Sequence, residues 1–498
     1  MGGYIKKFLE SKPIYNHRNE WCLIIAGFLF ILLRLPSLIE PYWYGDEGIY
    51  QVIGHGLNNG LLLYRDIWDN KPPLLYVLYA LLHSNLYVVK FASLLFGFFS
   101  IIPFFLIAQK ILNVRKYIYF STIFFAVLLG SPLLEGNIAN AENFMILPTL
   151  WAVYLVLNYS EKKKLFYLVV AGALLSIAFL TKIVAAFDFI TLSIFILVLE
   201  IDSITKFDKK EWGRHLKIFI PSVVFGFSFL SFFIVASIYF LTRGAFLDFY
   251  QAVLSQNIDY VGDQNHFILP MGRLIIKFVL LFSGLIFLIV RRKSIGNNMF
   301  FLYLWMLLSL FSSFFSQRPY IHYLLVLLPS FCLLVGFIFR YKRNIYFGSL
   351  IALSIVLISY FYFKVYTKII GYYSNYIQFV FDGKTVDEYQ SFFDSYTPRD
   401  YEIARFIKRN TENDENIFIW SDNAQIYALA DKLPPGKYTV AYHITFYKNA
   451  VEDTYQQIEK KQPRYIIQTK DSPELKSFLK SFILRYKMSG VNIYEREI

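Results

Sequence analysis

The 498-residue chain is 56% hydrophobic and only 17% charged, with 52 Phe and 39 Tyr lifting the aromatic share to 20%. A water-soluble chain of that length needs far more polar surface, so the apolar excess must face lipid. The net charge of +13 does not point to nucleic acid, because Lys and Arg collect in short clusters between apolar runs, where they set topology.

In chain order, the first apolar run, 21–39, follows Lys6, Lys7, Lys12 and Arg18, and no small-residue cleavage site comes after it. It reads as a first membrane helix with a cytoplasmic N-terminus rather than a cleaved signal. A long connection, 40–71, follows. The apolar run 72–86 is short for a span and reads as an interfacial helix on the outer face. Further helices are expected at 88–109, 117–134, 143–159, 166–181, 184–201, 218–241, 272–290, 299–315, 323–339 and 345–367. With the first run this makes about eleven spans. Lys110, Arg115 and Lys116, then Lys162 to Lys164, the segment 202–217, Arg291 to Lys293, and Arg340, Lys342 and Arg343 then all fall inside.

An odd count places everything after Lys368 outside. The tail is polar, with strand-like runs at 417–420, 438–442 and 464–468 between helical patterns at 398–410 and 450–461. The expected fold class is therefore an α-helical polytopic membrane protein, residues 1–370, with a small extracytoplasmic α/β domain, residues 371–498. The expected location is the plasma (inner) membrane. Cys22 and Cys332 lie in apolar runs and suit packing. No internal repeat, Walker loop, dinucleotide fingerprint or nucleophile elbow is present, which argues against an ATP-driven pump.

The ionisable residues cluster at the predicted outer helix ends. The connection 40–71 carries Asp46 and Glu47 in Tyr-Gly-Asp-Glu-Gly, then His55, Arg65, Asp66, Asp69 and Lys71 before Pro72-Pro73. A solvated hairpin would have a similar composition, but Trp43, Tyr44, Tyr50 and Trp68 suit anchoring at headgroup level. Glu142 opens a helix, where the macrodipole alone favours a carboxylate; the functional alternative has it facing the same cavity as Asp46. Lys182 is placed either to snorkel or to bind an anionic headgroup, and Asp188 lies one to two turns further in. Arg318 is suited to hold a phosphate, beside His322 and Tyr323. His322 also fits an ordinary interfacial histidine, and no second His or Cys has metal-ligand spacing.

Taken in order, Asp46-Glu47, Asn70-Lys71-Pro72-Pro73-Leu74, Ala141-Glu142-Asn143, Thr181-Lys182, the 319–329 segment with His322-Tyr323, and Asn423-Ala-Gln-Ile-Tyr427 resemble the GT-C membrane glycosyltransferases. The branch is the one containing protein O-mannosyltransferases and lipid A aminoarabinose transferases. The resemblance implies about eleven membrane helices with interfacial helices in the first outer loop. It also implies an inverting transfer from a polyprenyl-phosphate sugar to a lipid, glycan or protein of the cell envelope. It casts Asp46 as general base, Glu47 as its acidic partner, Glu142 as a shaper of the acceptor site, and Lys71 as a contact to the donor phosphate. Arg65, Lys182 and Arg318 are further candidates for that anion, from their charge and predicted depth. No cofactor is required, although a divalent ion between Asp46 and Glu142 stays open. An oligosaccharide ligase or polymerase also fits outer-loop charges, and a transporter fits less well because the candidates avoid the midplane.

Overall fold

The computed structural model describes residues 17–203, 217–257, 272–316, 318–340, 345–361, 369–412 and 414–497. Lys6, Lys7, Lys12, Gln317, Lys342, Arg343, most of the loop 202–217 and the end of the last expected span lie outside these residues.

All eleven expected segments carry a helix: α1 (Arg18–Arg34), α4 (Leu86–Leu112), α5 (Arg115–Gly130), α6 (Ala141–Lys162), α7 (Phe166–Thr181), α8 (Ala185–Asp202), α9 (Phe219–Thr242), α10 (Gly272–Ile295), α11 (Asn297–Phe315), α12 (Leu324–Arg340) and α13 (Ile345–Phe361). Between α1 and α4 sit α2 (Gly45–Asn58) and α3 (Pro73–Leu81). By length and composition alone, five segments are fit to cross a membrane: Arg18–Ile39, Leu86–Leu112, Phe219–Thr242, Asn297–Phe315 and Ile321–Arg340. α9 shows why such helices need lipid. Only Pro221, Phe225 and Phe240 are buried along it, while Phe227, Val235 and Leu241 stand exposed.

Helix contacts rely on small residues as well as on apolar packing. A Cβ on Gly172 of α7 would lie 2.7 Å from the Phe225 carbonyl oxygen and 2.7 Å from Ser228 Cβ on α9. Backbones approach that closely only where no side chain intervenes. On α9, Phe229 then stacks on Phe189 of α8 at 4.0 Å.

The basic clusters gather at one end of the bundle. There Lys110 pairs with Glu161 at 2.6 Å, Lys163 with Glu200 at 2.6 Å, and Arg292 with Asp202 at 2.8 Å. The connection 40–71, the loop before α6 and the tail occupy the opposite end. At that end the run 72–86 contains α3, a nine-residue helix that is too short to span.

The tail opens with α14 (Ile369–Val380) and continues through α15 (Thr397–Asn410), α16 (Gln425–Ala430), α17 (Ala441–Phe446) and α18 (Ala450–Lys461). Its sheet, in order β1-β2-β4-β3, contains β1 (Phe418–Trp420), β2 (Tyr465–Gln468), β3 (Phe482–Met488) and β4 (Val491–Arg496). β1 runs parallel to β2, and the other pairs are antiparallel. The strand expected at 438–442 is corrected: Tyr438 makes a single bridge to Trp68, and α17 starts at Ala441. That segment pairs with the first connection instead of the sheet. The β3–β4 hairpin was not expected. It closes through Ser489 (φ 48°) and Gly490 (φ 78°), both left-handed, as a two-residue turn requires.

The tail and the first connection share one core. Ile49, Ile53, Ile67 and Trp68 pack in the same cluster as Ile403, Trp420, Tyr438 and Ile444. A Cβ on Gly48 of α2 would lie 3.0 Å from the Gln425 backbone nitrogen.

Gly172→Val is expected to separate α7 from α9 at a cost of about 1–3 kcal/mol. Detergent thermal unfolding followed by gel filtration measures this, and a wild-type midpoint would refute the close-approach role.

Candidate active site

α2 positions the first acid. Its sequence starts Gly-Asp-Glu-Gly, and the helical step of four residues puts Tyr50 above Asp46, where the phenol O–H donates to Asp46 Oδ2 at 3.0 Å. Lys71 arrives from the far end of the connection. Its Nζ lies 3.7 Å from Asp46 Oδ2, 3.4 Å from Asp69 Oδ2 and 4.9 Å from the centre of the Tyr50 ring. Asp69 is buried and also accepts the Tyr76 O–H at 2.6 Å, while the Tyr64 O–H holds the Lys71 carbonyl at 2.8 Å. Lys71 thus sits between two carboxylates on a backbone pinned by tyrosines. Burial opposes ionisation of Asp46, but Lys71, then His322 and Lys182, outweigh it and hold the carboxyl below its usual range. A side chain 29% exposed and charged at neutral pH is fit to accept a proton.

A second group faces the first. Glu142, in the first turn of α6, is ion-paired with Lys182, which caps α7 and lies 4.9 Å from the centre of the Tyr323 ring. His322 Nε2 is 3.9 Å from Glu142, and its Nδ1 is 2.8 Å from Glu135 and 3.1 Å from the Tyr44 hydroxyl. Further in, Asp188 accepts the Trp305 N–H at 2.9 Å, tying α8 to α11. Among the described residues no three or more His, Cys, Asp or Glu groups converge to hold a metal ion.

Glu47 is turned the other way. Its Oε1 accepts the Ala139 N–H at 2.7 Å and lies 3.4 Å from Lys90 Nζ. Lys90 is fully buried and also holds Glu40 at 2.9 Å. Glu40 additionally accepts from Asn137 at 2.8 Å, from Trp43 at 3.2 Å and from the Tyr372 hydroxyl. Burial raises the Glu47 carboxyl above its usual range; Lys90 opposes this and Glu40 adds to it. Glu47 therefore supports the loop carrying Asp46 instead of facing the same space.

Four further candidates remain, Arg65, Asp66, His55 and Arg318. Arg65 makes a bidentate pair with Asp66 at 2.8 and 3.0 Å, and Asp66 accepts the Leu62 N–H at 2.9 Å. Arg65 also borders an apolar cavity of about 1120 Å³ lined by Pro73, Leu74 and Val77 on one side and Phe232, Val235 and Tyr239 of α9 on the other. His55 lies 3.4 Å from Asp431 at the tail contact. Arg318 stands in the turn before Tyr320 and His322, its backbone N–H directed at Ser316.

Sequence reasoning missed Glu40, Tyr76, Lys90 and Glu135, and took Tyr44 and Tyr50 only as headgroup-level anchors. It also missed the tail's His443, whose Nε2 is 3.8 Å from Asp69 Oδ1. A helix assigned at 45–58 would have exposed Tyr50 through its spacing; nothing local in the sequence marks His443.

A model of the family described as dolichyl-phosphate-mannose-protein mannosyltransferase matches residues 71–225. Residues 399–495 match the family described as "Putative competence-induced protein Ccs4 C-terminal domain". Among solved structures, ArnT from Cupriavidus metallidurans bound to undecaprenyl phosphate aligns with a TM-score of 0.56 at 14% identity, over 95% of this chain and 98% of that one. The chain has a GT-C glycosyltransferase fold. ArnT from the same organism in the apo state aligns with a TM-score of 0.54 at 14% identity, over 96% of this chain and 98% of that one. The oligosaccharyltransferase AglB from Archaeoglobus fulgidus aligns at 0.47 and 13%, over 92% of this chain and 70% of that one. No curated protein matches the sequence.

Two measurements test the electrostatics of this region. Lys90→Met strands two buried carboxylates and is expected to cost about 3–5 kcal/mol, read as a lowered unfolding midpoint. An unchanged midpoint would show that Glu40 and Glu47 do not depend on Lys90. Burial, with Asp69 and Asp46 opposing it and Lys71 reinforcing it, brings the His443 imidazole down from 6.5 to about 4. The unfolded chain therefore takes up a proton below pH 6.5 that the folded chain refuses until about pH 4. Stability should fall across that window by about 3 kcal/mol and gain nothing above it. His443→Phe should flatten the window; a slope identical to wild type would reject the assignment.

Proposed function

We propose that the chain is an inverting glycosyltransferase that moves a sugar from a polyprenyl-phosphate donor to a cell-envelope acceptor at the outer face of the inner membrane. The observation that carries this reading is the pairing of Asp46 with Lys71 at 3.7 Å, on an ordered connection beside an apolar cavity. Asp46 takes the proton of the acceptor hydroxyl as that oxygen bonds to the anomeric carbon. The carbon–phosphate oxygen bond breaks on the opposite face, and its electron pair leaves with the phosphate, whose charge Lys71 offsets. Glu142 and Lys182 largely neutralise each other, so they shape the acceptor side without drawing the phosphate away from Lys71.

The apolar cavity suits the prenyl chain. Pro73 and Leu74 line it, two and three residues beyond Lys71, so one short segment joins the headgroup position to the lipid path. Arg65 and Arg243 at its border are suited to attract an anionic lipid. The fold likeness to ArnT, solved with undecaprenyl phosphate, supports a lipid phosphate as the donor's carrier. The gathering of basic clusters at the other end of the bundle supports a cytoplasmic N-terminus, with the tail, residues 371–498, on the outer side of the membrane part, residues 1–370.

The test uses purified protein in detergent with a radiolabelled polyprenyl-phosphate sugar and candidate acceptors. Asp46→Asn is expected to lower transfer by about 10²–10⁴-fold, the range for loss of a general base. Lys71→Ala should weaken both donor affinity and turnover. Undiminished transfer by both variants would refute the site.

A further inference from the structure

The tail brings a buried side chain, that of His443, up to the site. α17 begins where the Ala441 N–H donates to the Ser421 carbonyl at 2.7 Å, and its first turn carries Tyr442 and His443. The His443 ring is clasped by aromatics: edge-on to Trp68 at 5.0 Å, with Tyr442 at 4.4 Å and Tyr447 at 5.9 Å. Trp68 is itself fixed to the tail, because its N–H donates to the Lys437 carbonyl at 2.8 Å. This clasp presents His443 Nε2 to Asp69 Oδ1 at 3.8 Å, while Nδ1 has no hydrogen-bond partner among the described residues.

Asp69 is divided between two duties. Its Oδ2 takes the Tyr76 hydroxyl at 2.6 Å and Lys71 Nζ at 3.4 Å, and its Oδ1 faces the tail. A carboxylate anchored on one oxygen alone is free to turn about its terminal torsion. A donor on the second oxygen fixes the plane, and with it the point toward which Lys71 is drawn. The donor must be neutral: a Lys or Arg at this position would compete with Lys71 for the Asp69 charge. A buried imidazole supplies an N–H without a charge, and its low pKa of about 4 keeps it so at neutral pH. Asp69, Asp46 and Lys71 from the first connection and Tyr442 and Tyr447 from the tail are the titratable groups around it.

We propose that His443 is a positioning residue of the tail domain, which orients Asp69 and through it aims Lys71 at the phosphate of the lipid-linked donor. This rests on the reading of Lys71 as the phosphate contact. At 3.8 Å the contact to Asp69 is longer than a hydrogen bond, and it tightens when a bound phosphate draws Lys71 away from Asp46. The tail is then part of the transferase site.

Two substitutions separate positioning from packing. His443→Phe keeps a ring against Trp68 and Tyr447 but removes the donor. His443→Gln gives up the ring and retains an N–H with the reach of Nε2. Binding of undecaprenyl phosphate to the full-length protein in detergent is the readout, with the unfolding midpoint at pH 7.5 as control for folding. His443→Phe is expected to keep the midpoint and weaken binding about tenfold, and His443→Gln to stay within about threefold of wild type, the scale found when a supporting residue is lost. Wild-type affinity in the Phe variant, or a Gln variant as weak as Phe, overturns the proposal. Lys71→Met separates the two levels. If it leaves binding unchanged, the phosphate reading falls and this inference with it. If it weakens binding and His443→Phe does not, this inference falls alone.

Discussion

Lys90 is the charge on which the site end of the molecule depends. Its ammonium is buried in α4 and meets Glu40 at 2.9 Å and Glu47 at 3.4 Å, and neither carboxylate has solvent to fall back on. Glu40 leaves α1, Glu47 begins α2, Asn137 and Ala139 come from the loop before α6, and Tyr372 comes from α14. Four further stretches of chain are therefore registered around Lys90, with buried Arg34 of α1 as a second cation beside the same carboxylates. Desolvating such charges costs several kcal/mol for each ion, so the cluster is weak evidence for stability as such. Its effect is geometric: alternative arrangements of the connection 40–71 would leave a buried charge without a partner.

That registration decides what Asp46 can do. Asp46 and Glu47 are adjacent, and on a helix adjacent side chains diverge by about 100°. With Glu47 committed to Lys90, Asp46 points about 100° away from it, toward Lys71. The acidic dipeptide is thus divided, Glu47 toward Lys90 and Asp46 toward Lys71. The same separation holds across the site. Half-exposed Asp46 is matched by Lys71 and buried Glu142 by Lys182.

Much of this was legible in the sequence, and the gaps have physical causes. Long apolar runs bounded by basic clusters fix helices without any knowledge of packing, so all eleven segments were found. α2 was hidden because Gly45, Gly48, Gly54 and Gly56 lower helix propensity, and tertiary burial supplies what the local sequence withholds. Gly48 is small because the backbone at Gln425 lies against it. The run 438–442 looks like a strand because Tyr, Thr and Val favour extended backbone, yet its pairing partner is Trp68, almost four hundred residues earlier. The β3–β4 hairpin lay in a stretch of alternating charge and apolar residues whose Ser489-Gly490 turn is weaker than the Asn-Gly signal. Lys90 was invisible for a related reason. A single Lys in an apolar helix reads as a residue to be tolerated, and only the fold reveals two carboxylates waiting for it.

The tail makes the sharpest case for reading contacts over sequence order. Judged by composition it is a polar appendix to a membrane bundle. Its core, however, is continuous with that of the first connection, through Trp68, Ile67 and Ile53 on one side and Tyr438, Ile444 and Trp420 on the other. Removing it would expose this apolar face and also leave Asp69 Oδ1 without its facing imidazole. A connection as long as 40–71 cannot be held by α1 and α4 at its two ends alone, since chain ends restrain position only near the anchor points. It needs a surface to lie on, and the tail is that surface. The length of the loop and the presence of the tail are therefore one structural fact, and Lys71 is ordered where the two meet.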